Sequence, residues 1–201
     1  MFTGIVTELG IVQAVAEDDG MRAFTIRAPA TVVGLRVGDS VAVNGVCLTA
    51  IVVADDSFTV EAMEETLVRS SLGSILDGES INLERPMPAA GRFDGHIVQG
   101  HVDGVALVDA ITDEGAAKRF QFSISRSLGR YLVEKGSVTV DGVSLTVTSV
   151  SPADADRQVF EVAIIPHTLD STVFGAYVVG TVVNIEVDVL AKYVERLMEV
   201  R

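Results

Sequence analysis

The chain carries one passage twice. Val43-Asn44-Gly45-Val46-Cys47-Leu48-Thr49 and Val140-Asp141-Gly142-Val143-Ser144-Leu145-Thr146 lie 97 residues apart. Each sets a hairpin signal, Asn-Gly or Asp-Gly, between β-rich runs. Ser40-Val41 before the first answers Ser137-Val138 before the second. Downstream, Phe58-Thr59-Val60 and Thr66-Leu67 answer Phe160-Glu161-Val162 and Thr168-Leu169, and Gly73, Gly78, Asn82 and Glu84 answer Gly175, Gly180, Asn184 and Glu186. Upstream, Gly4-Ile5-Val6 pairs with Gly100-His101-Val102. A 201-residue chain written this way divides into units of roughly 95 residues, each able to bury a core without staples. We place the units at residues 1–96 and 97–188, with a tail over 189–201.

Each unit is rich in strand signals. In the first, strands are expected over residues 1–12, 24–27, 41–43, 47–53, 58–63 and 80–84, with a short helix at 64–70. Pro86-Met87-Pro88 forbids a regular ladder and marks the linker. In the second, strands are expected over 97–108, 120–125, 160–165 and 182–188, around the Asp141-Gly142 hairpin, with a helix at 128–135. Strands at regular spacing with helices only at turns give an all-β architecture, and closure removes exposed edges. The expected fold is two similar antiparallel Greek-key β-barrels followed by a C-terminal α-helix. In the tail, Leu190, Tyr193, Val194 and Leu197 recur at helical spacing and form one apolar stripe. A helix this short needs a surface to bury against, either its own barrel or copies of itself.

Composition narrows the function. A net charge of −13 argues against binding nucleic acid or an anionic membrane through the overall field. Although 48% of the residues are hydrophobic, no window approaches the ~20 unbroken apolar residues of a membrane span. Met1-Phe2-Thr3-Gly4 lacks the basic and leucine-rich regions of a secretory signal. The single cysteine suits a reducing compartment, so the expected location is cytoplasmic.

A duplicated binding unit is most economically used on two similar molecules, brought together so that proximity lowers the barrier between them. Roles are then assigned where the halves disagree: Cys47 against Ser144, Asn44 against Asp141, Ile5 against His101, Pro86 against Asp188. Ser144 and Thr146, two apart, share a strand face. His96 and His101 would fall on opposite faces of a regular strand, and without a cysteine cluster or H-x-x-x-H spacing no metal is assigned. His101, beside Asp103, is a candidate proton carrier. The absence of a P-loop and of a Gly-x-Ser-x-Gly elbow takes weight from nucleotide hydrolysis and serine-esterase chemistry.

Together, Met1-Phe2-Thr3-Gly4-Ile5-Val6, Asn44-Gly45-Val46-Cys47-Leu48-Thr49, Gly95-His96-Ile97-Val98-Gln99-Gly100-His101-Val102, Asp141-Gly142-Val143-Ser144-Leu145-Thr146 and Asn184-Ile185-Glu186-Val187-Asp188 resemble the riboflavin synthase family, α-chain type, over essentially the whole chain. The resemblance implies a homotrimer assembled through the C-terminal helix, with active sites between the N-terminal barrel of one subunit and the C-terminal barrel of a neighbour. It implies a transferase, acting at the final step of riboflavin biosynthesis without cofactor or metal. Two molecules of 6,7-dimethyl-8-ribityllumazine dismutate by four-carbon transfer to riboflavin and 5-amino-6-(D-ribitylamino)uracil. A lumazine synthase is a further partner it suggests.

Carried over by motif, Ser40, Cys47, Thr49, His101, Ser144, Thr146 and Asp188 surround the reacting rings. His101 with Thr146 would assist proton removal, Ser144 and Asp188 would serve nucleophile addition or anion stabilisation, and Cys47 would orient a ring or act as an auxiliary nucleophile. Substrate edges would be held, largely by backbone, at Gly4, Ile5 and Val6, at Cys47, Leu48 and Thr49, and at Glu61-Ala62-Met63-Glu64-Glu65-Thr66. The matching set is Gly100, His101 and Val102, then Lys135, then Ser144, Leu145 and Thr146, and Ala163-Ile164-Ile165-Pro166-His167-Thr168. At His167 the family more usually carries Glu. The rival is a lumazine- or flavin-binding chromophore protein, which resembles the family but holds its ligand without turnover; such relatives typically lack parts of the polar set present here.

Overall fold

The computed structural model describes residues 1–18, 20–152 and 157–199. In the first half β1 (Glu8–Asp18), β2 (Met21–Arg27), β3 (Ser40–Val43), β4 (Val46–Val53), β5 (Ser57–Met63) and β6 (Ser80–Glu84) close a barrel in the order β1-β2-β5-β4-β3-β6. In the second, β7 (Gly104–Glu114), β8 (Ala117–Ser125), β9 (Ser137–Val140), β10 (Val143–Val150), β11 (Arg157–Ile164) and β12 (Val182–Val187) close another in the matching order. The expected pair of antiparallel barrels is therefore present. Even the irregularities are copied. Register shifts between Val12 and Ala14 and between Ala50 and Val52 recur between Val108 and Ala110 and between Val147 and Ser149. Such bulges bend and twist a strand where a small barrel must curve.

Period-2 alternation fills each barrel. Phe24 and Ile26 on β2 meet Phe58, Val60 and Ala62 on β5; Phe120, Phe122 and Ile124 on β8 meet Phe160, Val162 and Ile164 on β11. Each large side chain so enclosed contributes about 1.5–3 kcal/mol. The second core is more aromatic: Phe122 stacks on Phe160 with centroids 5.1 Å apart, and Phe174 stands edge-on to Phe120 at 5.2 Å. Leu72 occupies the position of Phe174 in the first.

Two sequence expectations change. Residues 1–7 and 97–103 are not strands; they are irregular arms joined by one antiparallel bridge, Phe2 to Val98. Gly4 and Gly100 break the alternation with φ of 77° and 76°. The helix expected over 128–135 shrinks to α2 (Arg126–Gly129), and the chain leaves it in turns, ending with Lys135 in the left-handed region at φ 66°. Short helices α1 (Glu64–Arg69) and α3 (Pro166–Ser171) sit at corresponding places. The tail forms α4 (Val189–Glu199), with Leu190, Tyr193, Val194, Leu197 and Met198 exposed. Its apolar stripe is therefore not buried on its own barrel. No helix among the described residues is long and apolar enough to cross a membrane.

The barrels meet about a pseudo-twofold axis at the two hairpins. Asn82 Nδ2 donates to the Asp141 carbonyl (2.9 Å) and Asn184 Nδ2 to the Asn44 carbonyl (2.8 Å). Each Asn side-chain oxygen accepts from the other half: Asn184 Oδ1 from Ser71 N (2.6 Å), Asn82 Oδ1 from Val173 N (2.9 Å). Within each half, Asn44 Oδ1 accepts from Asn82 N and Asp141 Oδ1 from Asn184 N, both at 2.7 Å. Buried amides so fully paired fix one mutual orientation.

Candidate functional site

Each arm is clamped by its own half and seated on the other. Glu84 Oε1 accepts from the N–H and hydroxyl of Thr3 (2.7 and 2.8 Å), and its Oε2 from Gly4 N–H (2.9 Å). Glu186 repeats this with Gln99 N–H (2.7 Å) and with Gly100 and His101 N–H (2.9 Å each). Burial pushes both carboxyls above their ordinary value, while the donated N–H groups pull them back down. The carbonyls then reach across: Gly4 O accepts from Ser144 N (2.7 Å), and Gly100 O from Cys47 N (2.8 Å). A Cβ added at Gly4 would lie 2.6 Å from Ser144 Cβ, and one at Gly100 the same distance from Cys47 Cβ. Glycine is required at both positions, by conformation and by space.

The crossing produces two hybrid sites. Val102 packs against the first barrel's core and Val6 against the second's. Gly100, His101 and Val102 thus border the site carrying Cys47 and Thr49, whereas Gly4, Ile5 and Val6 border that carrying Ser144 and Thr146. Across the first, Ser40 on β3 is the register partner of Thr49 on β4. Across the second, Ser137 on β9 partners Thr146 on β10, a residue the sequence reading paired with Ser40 but did not place in the site. Glu61-Ala62-Met63-Glu64-Glu65-Thr66 and Ala163-Ile164-Ile165-Pro166-His167-Thr168 share one exposure pattern, residue by residue. Ala62, Ile164 and Leu48 turn their side chains into the cores, so only their backbone can meet a ligand. Met63 and Ile165 are large, apolar and exposed, as rims of a ring-binding surface would be. Lys135 is exposed. Cys47 is a half-buried free thiol packed near Phe2, Ala42 and Val98.

His96 is the residue that sequence reasoning missed. Its Nδ1 lies 2.8 Å from Ser144 Oγ, and its Nε2 is enclosed without a hydrogen-bond partner among the described residues. Burial lowers its pKa below the ordinary histidine value, and the nearby charge of Asp188 pulls it back up. The imidazole is therefore neutral near pH 7 and able to take the Ser144 hydroxyl proton. The strand geometry that set His96 and His101 on opposite faces does not apply, because residues 97–103 are not a strand. The structure shows why: a Cβ at Gly95 would meet Thr3 O at 2.0 Å and Ser144 Oγ at 2.9 Å, so this stretch is pressed onto β10, a contact between residues distant in sequence. His101 itself is exposed and placed on the Cys47 side.

A separate cavity of about 380 Å³ lies where the barrels meet, lined by Asn44, Ser71, Asp141, Val173 and Tyr177 among others. It contains none of the residues that border the two hybrid sites. Burial raises the Asp141 carboxyl to about 7, against the opposing pull of hydrogen bonds from Tyr177 O–H and Asn184 N–H. This charge asymmetry between Asn44 and Asp141 belongs to the interface between barrels.

Comparison with known proteins agrees with the duplicated geometry. The lumazine binding domain model matches residues 3–86 and again 99–188. Riboflavin synthase of Mycobacterium bovis is 47% identical over 98% of this chain and 98% of its own. The riboflavin synthases of Actinobacillus pleuropneumoniae (42%) and Bacillus subtilis (40%) each align over 98% of this chain and 90% of theirs. Among solved structures, LumP complexed with riboflavin superposes with a TM-score of 0.84 at 24% identity, over 94% of this chain and all of that one, which speaks for the fold. With two lumazine-binding repeats and such identity along nearly its full length, the chain belongs to the riboflavin synthase family.

Proposed function

We propose that this protein is a riboflavin synthase that dismutates two molecules of 6,7-dimethyl-8-ribityllumazine. One gives a four-carbon unit to the other, yielding riboflavin and 5-amino-6-(D-ribitylamino)uracil. The observation that carries this reading is the doubled site: arm on hairpin, Gly100 on Cys47 and Gly4 on Ser144, with the same hydrogen bond and the same glycine contact. One chemistry on two copies of one heterocycle asks for such a pair. The C7 methyl of the lumazine is acidic because its carbanion delocalises into the ring, so a modest base suffices. We assign that role to the His101 side. The partner ring gains a nucleophile at C7, and the Ser144–His96 pair near Asp188 serves that addition.

Incubation with the lumazine tests the assignment against a chromophore-binding protein. Loss of lumazine absorbance with growth of green riboflavin fluorescence over many turnovers is expected. A stoichiometric spectral shift without product would instead make it a binder.

The working form we propose is a cytoplasmic homotrimer whose sites form between neighbouring subunits. Supporting it, α4 presents Leu190, Tyr193, Val194 and Leu197 outward. Between α4 and residues 130–133 lies an apolar-walled groove lined by Val133, Ala191, Val194 and Met198. Deleting residues 189–201 is expected to give monomers in sedimentation; an unchanged mass would remove α4 from the subunit contact.

A further inference from the structure

The two arms are not held equally. Both are gripped by a buried glutamate, but the second has an additional charged tie. Asp103 donates its N–H to Ile185 O (2.8 Å), as Thr7 does to Leu83 O (2.9 Å) in the first half. There the likeness ends. Thr7 Oγ1 turns back to Leu83 O (3.2 Å), whereas the Asp103 carboxylate reaches in two directions. Its Oδ2 accepts from Val187 N–H (3.0 Å), and its Oδ1 from Lys192 Nζ on α4 (2.6 Å). The pair is largely sheltered, with side-chain exposures of 31% for Lys192 and 19% for Asp103. Glu195, one turn along the same helix, accepts from Tyr131 O–H and pairs with Arg130. The helix is therefore fastened to its own barrel by polar ties, while its apolar stripe stays outward.

We propose that Lys192 and Asp103 are positioning residues that couple α4 to the arm carrying His101. Residues 99–103 are held at one end by Glu186 and at the other through Asp103, and the groups that hold them, Glu186, Ile185, Val187 and Lys192, all lie on β12 or on the helix that follows it. A helix drawn into register by neighbouring copies sets Lys192, Lys192 sets Asp103, and the intervening His101 is presented at a fixed place over Cys47. The first half has neither the helix nor a charged residue at position 7. This makes His101 answerable to the seating of α4 in a way that Ile5, its counterpart, is not. The inference rests on the proposed synthase activity only for its kinetic readout.

The test uses the full-length protein with Lys192→Met, which keeps the alkyl stem, and Asp103→Asn. Each is expected to lower kcat about tenfold or more with little change in KM, since displacement of a reacting group by an ångström is enough for such a loss. The double variant should be no worse than the poorer single, and Lys192→Arg should recover most of the rate. Mass in sedimentation should remain that of wild type. Hydrogen exchange at the Gly100 and His101 amides should quicken in Lys192→Met while that at Gly4 does not, a readout that stands whether or not the lumazine is turned over. Wild-type kcat in Lys192→Met, or unchanged exchange at Gly100 and His101, would overturn the coupling. So would a rate loss matched by dissociation of the oligomer.

Discussion

Replacing His96 by alanine is expected to slow lumazine turnover by about 10²- to 10⁴-fold, the usual loss when a positioned general base is removed. Ser144→Ala should fall in the same range, and the double variant should be little worse than either single, because groups acting as one unit do not add. The physical basis is the 2.8 Å contact between His96 Nδ1 and Ser144 Oγ together with the neutrality that burial imposes on the imidazole. Burial disfavours the protonated ring, so in Ser144–His96 chemistry the acid limb of kcat should lie below the pH of an ordinary histidine titration. His101→Ala should also slow turnover. Its loss should compound with that of His96→Ala, since His101 is clamped on the Cys47 side and the other pair stands at Ser144. Steady-state rates with fluorescence titration of bound lumazine separate chemistry from binding. A His96→Ala enzyme within threefold of wild-type kcat would take the imidazole out of the reaction.

The duplication could be read from sequence because matched residues are needed twice for the same physical reason. Asn44-Gly45 and Asp141-Gly142 both require left-handed turns, with φ of 43° and 44° at Asn44 and Asp141 and 78° at both glycines, and only such residue pairs supply them cheaply. Inward alternation on β2, β5, β8 and β11 was legible for the same reason. The arms were not. Ile5-Val6 and Ile97-Val98 look like strand by composition, and nothing local reveals that Glu84 and Glu186, 80 or more residues away, bind the N–H groups of Thr3 and Gly4 and of Gln99, Gly100 and His101 beside them. Such long-range capture also hid His96, whose partner comes from β10. Where the sequence reading used symmetry it chose Ser40 but passed over Ser137, although register places each opposite the threonine of its own hairpin. Lys192 lay on the polar face of a tail read only for its apolar stripe, so its link to Asp103 had no sequence signature at all.

Gly45→Ala is expected to destabilise the protein by about 3 kcal/mol and to disturb both sites at once. Two costs combine at this position. Alanine at a φ of +78° costs about 1–2 kcal/mol by conformation alone. Its Cβ would also lie 2.6 Å from Gly142 N and 2.9 Å from Gly142 Cα. Those are backbone atoms of the opposing hairpin, which cannot rotate away as a side-chain tip could, so the barrels must part; overpacking of this kind costs about 1–3 kcal/mol. Gly20→Ala isolates the first cost, since its φ is +79° and nothing among the described residues lies within 4 Å of the added carbon; it should lose only about 1 kcal/mol in urea unfolding. Gly142→Ala should behave like Gly45→Ala, its Cβ meeting Gly45 N at 2.8 Å. The double variant should cost less than the sum, because a gap opened by one methyl admits the second. Parting the hairpins also strains the amide bridges from Asn82 and Asn184, and it moves Cys47 and Ser144, each two residues past a turn glycine, relative to the arms seated on them. Lumazine turnover should therefore fall in Gly45→Ala even at temperatures where the fold persists. If Gly45→Ala were no less stable than Gly20→Ala, the hairpins would not be in backbone contact, and the pseudo-twofold junction would not be what holds the two sites in register.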